Sequence, residues 1–199
     1  MARAAYSEDR VDEIQRRILA GALEVIRSEG SSGLSLRRIA QELGWSAAAL
    51  YRYFANKDEL LNAIRAEGFV RMGRALETAI GNAAAPCDAA RGGMRAYLAF
   101  ARDQPELFRL MYELQQAEGE TGPEVRLQRE RAFAVAERIA SQDPGVRNPK
   151  LAAHLLWVSA HGLAALQMAE QLDLGCDYED LIEPLMEQAT RPRQAGSTK

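Results

Sequence analysis

Apolar residues recur at three- and four-residue intervals from one end of the chain to the other, and no stretch alternates apolar and polar positions with β-branched enrichment. The pattern predicts an all-α fold. A first helix runs from about Asp9 to Glu29, with Ile14, Ile18, Ala22, Val25 and Ile26 on one face and Gly30 as its stop. Gly21 inside it reads as a mild fault, since glycine weakens a helix interior. Ser35 is a natural N-cap for a second helix that buries Leu36, Ile39, Ala40 and Leu43 and ends at Gly44. Ser46 reads as the cap of a third, very short helix with Ala47, Leu50 and Phe54 inward. Asn56 followed by Glu59 makes a capping-box-like start to a fourth, from Lys57 to about Asn82. Further helices are predicted at about 88–103, 105–117, 124–141, 150–173 and 178–189, separated by Gln104-Pro105, the Gly119 to Pro123 loop, the Gln142 to Pro149 loop and Gly175.

This layout divides into an N-terminal three-helix unit over 1–56, short enough to suggest a recognition module, and a longer helical domain over 57–189. A flexible tail over 190–199, rich in Pro, Gly, Ser and charge, follows. The net charge of −3 hides a contrast, for residues 1–75 carry +2 and residues 76–199 carry −5. That asymmetry weakly favours a nucleic-acid-facing N-terminal piece, though +2 is far from the strongly basic footprint of non-specific binders. No apolar stretch reads as long enough for the ~20 residues that span a bilayer, and Glu8 and Asp9 do not fit a signal peptide, so a cytoplasmic protein without a membrane partner is expected.

Cys87 and Cys176 are far apart and have no neighbours at ligand spacing, which leaves neither a disulfide framework nor a zinc site. His154 and His161 lie seven positions apart in one predicted helix, a rise of ~10.5 Å, too far to grip one metal ion together. No metal or cofactor is expected. An enzyme is disfavoured, because no Gly-rich phosphate loop, nucleophile motif or matched carboxylate pair is present.

The informative segment is Leu34 to Leu61. Two short helices meeting at Gly44 have the form of a helix-turn-helix, in which the second helix enters a major groove and the first crosses the backbone. A plain helical hairpin or interaction scaffold is the bland alternative, and it leaves Tyr51, Tyr53, Arg37 and Lys57 unexplained. Alanine methyls at Ala47, Ala48 and Ala49 suit a groove floor, with Tyr, Arg and Lys beside them reaching phosphates.

Ile18-Leu19-Ala20 through Gly30, Leu34 to Gly44, and Leu50-Tyr51-Arg52-Tyr53-Phe54-Ala55-Asn56-Lys57-Asp58-Glu59-Leu60 together resemble the TetR family of one-component transcriptional repressors. The resemblance implies that Tyr51 and Lys57 contact phosphates, Tyr53 a phosphate or a base, and Ser35 a phosphate at the helix start. It also implies that Arg37 reads a base. The residue pattern agrees for Arg37, which shares an outward stripe with Gln41; Arg38 has the competing option of an i, i+4 bridge to Glu42. The chain departs from the common pattern at Ala47-Ala48-Ala49 and at Trp45, which stands where a small aliphatic is typical. Alanine offers base edges no hydrogen bonds, so recognition rests on thymine methyls, DNA shape and flanking residues such as Arg37, Arg52, Tyr53 and Ser46.

Beyond residue 90, Tyr97 to Ala101, Pro105 to Met111 and Trp157-Val158-Ser159-Ala160-His161-Gly162 resemble a Trp-His-Gly subgroup of that family. Trp157 and His161 are one turn apart on one face, and Gly162 would let a neighbouring helix approach. That face, with Tyr97, Phe108, Met111, Tyr112 and Phe133 opposite, either lines a pocket for a small, mostly apolar effector or is ordinary core. Leu155, Leu156, Leu163, Leu166, Leu181, Ile182, Leu185 and Met186 exceed what one helical layer covers, which predicts a homodimer. The expected partners are therefore double-stranded operator DNA, a small-molecule effector and a second copy of the chain.

Overall fold

The computed structural model describes residues 8–112, 122–172 and 175–190. Among them α-helices order as α1 (Glu8–Glu29), α2 (Leu36–Leu43), α3 (Ala47–Leu50), α4 (Lys57–Gly81), α5 (Pro86–Asp103), α6 (Pro105–Tyr112), α7 (Pro123–Ser141), α8 (Pro149–Met168) and α9 (Tyr178–Thr190). The described residues contain no strand, in agreement with the all-α expectation. A 3₁₀ turn at Ser31–Gly33, which the sequence pattern did not predict, joins α1 to α2.

Two compact units form, Met1–Gly68 with Glu106–Gln128, and Phe69–Pro105 with Arg129–Lys199. The division does not fall at the expected boundary after residue 56. The helix α4 begins just after that point and contributes to both units, and most of α6 belongs to the first, where the buried Arg65 Nε donates to the Leu110 carbonyl at 3.0 Å. An Arg at a helix C-terminus satisfies a carbonyl that no intrahelical donor can reach.

The core of the first unit is built on the apolar faces read from the sequence. Ile18, Ala22, Val25 and Ile26 of α1 meet Leu36, Ile39 and Ala40 of α2, all buried. Gly21 is no fault here. A Cβ on it would stand 2.9 Å from Leu43 Cδ2, so the missing side chain is what lets the end of α2 lie against α1. The periodic pattern scores glycine only for helix propensity and misses this close approach.

In the second unit α8 packs on α5 and α9. The helix α8 ends at Met168, five residues before the predicted stop, because Glu170 takes a left-handed φ of 54° and the Gln171 N–H returns to the Leu166 carbonyl at 3.0 Å. No glycine marks that stop, which is why the pattern overran it. Contrary to expectation, α8 is long and apolar enough to cross a membrane, since no charged residue lies between Lys150 and Glu170. Scattered His154, Ser159, His161 and Gln167 disguised the run. The predicted 113–117 end of α6, the 119–121 part of its loop and the tail from Arg191 onward lie outside the described residues.

Candidate nucleic-acid interface

Local capping sets the geometry of the α2 to α4 segment. The Ser35 hydroxyl accepts the Arg38 N–H at 3.1 Å and fixes the start of α2, a cap worth ~1 kcal/mol. At the other end Gly44 adopts φ 67°, ψ 29°, and the Trp45 N–H closes onto the Ala40 carbonyl at 2.8 Å. A side chain at that left-handed position would be strained, so Gly44 defines the turn between the two helices. The helix α3 has only four residues and continues as turns through Tyr53, with the Tyr53 and Phe54 N–H groups both returning to the Leu50 carbonyl at 2.9 and 3.1 Å. Leu50 and Phe54 are buried and anchor the segment as predicted. Ser46 occupies the N-cap position of α3 but makes no side-chain cap bond, which corrects the expectation of a hydroxyl cap: only its carbonyl serves, accepting from the Ala49 N–H at 2.9 Å.

The start of α4 is locked reciprocally. Asn56 Oδ1 accepts the Glu59 N–H at 2.8 Å, and Glu59 Oε2 accepts the Ala55 N–H at 2.6 Å. Asp58 and Glu59 in the first turn complement the helix dipole. This leaves Lys57 at the rim with its side chain exposed.

Around α3 the surface is specific. Tyr51 is 58% exposed, an unusual position for a large aromatic. Ser35, Arg37, Ser46, Ala48 and Arg52 are exposed, whereas Ala47, Ala49 and Tyr53 are half-buried. The charges differ in their partners. Arg38 is held by Glu29 at 2.8 Å and by Glu42 at 3.0 Å, and these bonds raise its guanidinium above the usual arginine range. The Glu42 bridge is the one the i, i+4 spacing anticipates; Glu29, nine residues upstream, carries no sequence signal. Arg38 is thus a tie between α1 and α2 with its charge largely offset. Arg37 and Lys57, in contrast, have no carboxylate partner among the described residues. Sequence reasoning also missed that Arg17 of α1 lies over the Trp45 ring, its guanidinium carbon 5.0 Å from the ring centroid.

The seven residues expected to line an effector pocket fall into two groups. In the second unit Tyr97, Phe133, Trp157 and His161 come together. The Trp157 indole N–H donates to the Tyr97 hydroxyl at 3.3 Å, and that hydroxyl is 3.0 Å from His161 Nδ1. The Phe133 ring lies 6.2 Å from Trp157 and 4.3 Å from His154. Phe108, Met111 and Tyr112 belong to α6 in the first unit, where the Phe108 and Tyr112 rings form a tilted pair with centroids 4.9 Å apart and Met111 is buried beside Gly68. Gly162 meets no atom within 4 Å of a would-be Cβ, so among the described residues no helix approaches it as expected. It sits instead in an exposed apolar stripe of α8 formed by Leu151, Leu155, Val158 and Leu166. Of the other residues expected to seek a partner chain, Leu163, Ile182 and Met186 are buried within the protomer.

The chain is similar to known regulators in both halves. Residues 18–64 match the profile of bacterial regulatory proteins of the tetR family, and residues 90–189 match the tetracyclin repressor-like C-terminal domain. The HTH-type transcriptional repressor DrrR1 of Streptomyces coeruleorubidus is 29% identical over 161 residues, 78% of this chain; the chain spans about half, 54%, of that relative's length. A protein of unknown function from Rhodococcus sp. RHA1 superposes with a TM-score of 0.77 at 27% identity, covering 89% of this chain and 93% of the other. The TetR family regulator PfmR of Thermus thermophilus does so at 0.62 and 25%, covering 89% and 99%. With one profile matching over the capped helix-turn-helix and the other over the C-terminal half, the chain belongs to the TetR family of bacterial transcriptional regulators.

Proposed function

We propose that the protein is a homodimeric, effector-responsive transcriptional repressor that binds a two-fold-symmetric operator. The observation that carries this is the surface around α3: small methyl groups at the centre, with Tyr51, Arg37 and Lys57 exposed and the two cations not offset by carboxylates among the described residues. Such a surface fits a major groove, with the tyrosine hydroxyl and the lysine on phosphates and Arg37 able to make a bidentate contact to guanine. Ser35, Ser46, Arg52 and Tyr53 flank it at the same rim. The repressor sense follows the name of the DrrR1 relative.

The dimer reading rests on α8. Val158 is 64% exposed within a stripe that includes Gly162, where two helices can approach closely. A second copy laid on this face through α8 and α9 buries the excess apolar surface, and a two-fold arrangement is the commonest solution. The same stripe explains why α8 is apolar enough for a bilayer without requiring one.

The effector reading rests on the Tyr97, Trp157 and His161 constellation with Phe133 beside it, an aromatic wall holding few polar groups. Release works through α4, which contributes to both units: a tilt of that helix shifts the two reading heads from the ~34–36 Å spacing of successive major grooves. An effector that favours the shifted state lowers operator affinity, and by reciprocity the operator lowers effector affinity by the same factor, typically ~1–3 kcal/mol. A genome-wide binding map of the purified full chain tests the function. Discrete, symmetric sites support it, and uniform binding along the DNA overturns it. Once a site is in hand, effector affinity with and without that duplex tests the coupling, and equal values remove the inducer role.

A further inference from the structure

Two features meet at the rim of α1. Gly21 lets the end of α2 lie against α1, and Arg17, one helical turn before Gly21 and on the same face, then stands over the residue that leaves α2. That residue is Trp45, whose backbone is fixed by the 2.8 Å bond to the Ala40 carbonyl and which leads directly into the start of α3. Arg17 is exposed and has no carboxylate partner among the described residues, whereas its neighbour Arg16 pairs with Glu13 at 3.2 Å.

We propose that Arg17, laid on the indole of Trp45, grips a DNA phosphate beside the recognition helix, with Trp45 as its positioning residue. The proposal rests on the DNA-binding function proposed above. Attraction between the cation and the ring face holds the guanidinium in place while leaving its N–H donors for an anion, and a planar, five-donor group suits a phosphodiester better than a lysine does. A pre-positioned arginine also loses less freedom on binding. The need for it is local: Ala47, Ala48 and Ala49 supply no hydrogen bonds, and Arg38 is occupied by Glu29 and Glu42. Trp45, where this family commonly carries a small aliphatic, recruits a cation from a different helix to the same rim.

The test uses the full chain and a duplex selected by that chain from a random-sequence pool, with affinity measured over a range of salt. Arg17→Ala should weaken binding about tenfold per half-site, hence about a hundredfold for the dimer, as removing a charge-assisted hydrogen bond does. It should also flatten the log-affinity against log-salt slope by about 1.8 for a dimer, one phosphate per protomer. Arg16→Ala should leave the slope unchanged. Trp45→Val should cost about two- to fivefold per half-site, the scale of an exposed cation–π contact, with Trp45→Phe restoring most of it. In the Arg17→Ala background, Trp45→Val should cost nothing more. An unchanged slope in Arg17→Ala overturns the phosphate contact, and a further loss from Trp45→Val in that background overturns the positioning role. If the unaltered chain selects no duplex and shows no salt-dependent binding, the DNA-binding function itself fails and this inference with it; a normal wild-type slope separates the two failures.

Discussion

Replacing Tyr97 by Phe removes one oxygen atom and with it two hydrogen bonds, one to Trp157 and one to His161. The indole of Trp157 can only donate, so the Tyr97 oxygen accepts from it at 3.3 Å; the same hydroxyl lies 3.0 Å from His161 Nδ1, and we assign its proton to that nitrogen. That arrangement requires a neutral His161 carrying its hydrogen on Nε2, and partial burial lowers the imidazole pKa in the same direction. Each of the two lost neutral hydrogen bonds is worth ~1 kcal/mol net. Trp157 and His161 are half-buried, so water limits any further desolvation cost. Tyr97→Phe should therefore destabilise the protein by about 2 kcal/mol, or roughly 4–8 °C in Tm for a chain of this size. Urea unfolding at fixed protein concentration reads it directly. Acid supplies a second readout. Because the folded-state pKa lies below the unfolded value of about 6.5, the unfolded chain binds more protons in the interval between them. The contribution is present above about pH 6.5 and is lost as pH falls through the folded pKa. His161→Asn keeps an acceptor for the tyrosine but cannot titrate, so its loss of stability between about pH 7.5 and 5 should be smaller than that of the wild type. Unchanged stability in Tyr97→Phe, together with an acid response identical in His161→Asn, would refute the proton assignment.

Three further outcomes follow from packing and charge. Arg37→Ala should relax preference at one operator position per half-site at a cost of ~1–3 kcal/mol there, read by competition with single-base variants, whereas a uniform loss would make it a phosphate contact. Gly68→Ala should destabilise the first unit by about 1–2 kcal/mol in urea despite the gain in helix propensity. Its Cβ would stand 2.6 Å from Met111 Sδ and 3.2 Å from Leu107 Cδ1, both buried, and stability equal to wild type would show that Met111 can simply move aside. Val158→Asp, at the most exposed apolar position of α8, should yield a folded monomer in sedimentation analysis; a persistent dimer would place the interface elsewhere.

What was legible in the sequence is what local chemistry writes. Ser35, Gly44 and the Asn56/Glu59 pair each satisfy backbone groups within four residues, and each appears in the structure as the pattern predicts. The apolar faces of α1 and α2 follow from spacing alone. Non-local facts were not legible. Glu29 reaching Arg38, Gly21 yielding to Leu43 and Arg17 covering Trp45 depend on how two helices cross, which no periodicity records. The same holds for the aromatic residues of the C-terminal region. Spacing placed Trp157 and His161 on one face, but the hydroxyl of Tyr97, some sixty residues away, is what joins them. Phe108, Met111 and Tyr112 share their residue type with that group but belong to a different compact unit.

The central claim is that the rim around α3 is a DNA-reading head, and the salt dependence of binding tests it most directly. For a duplex selected by the full chain, Tyr51→Ala and Lys57→Ala should each weaken binding uniformly across sequences with the protein still folded. Lys57→Ala should in addition flatten the log-log salt slope by about 0.9 for each phosphate that the lysine no longer neutralises. Affinity and slope unchanged in both variants would contradict the account.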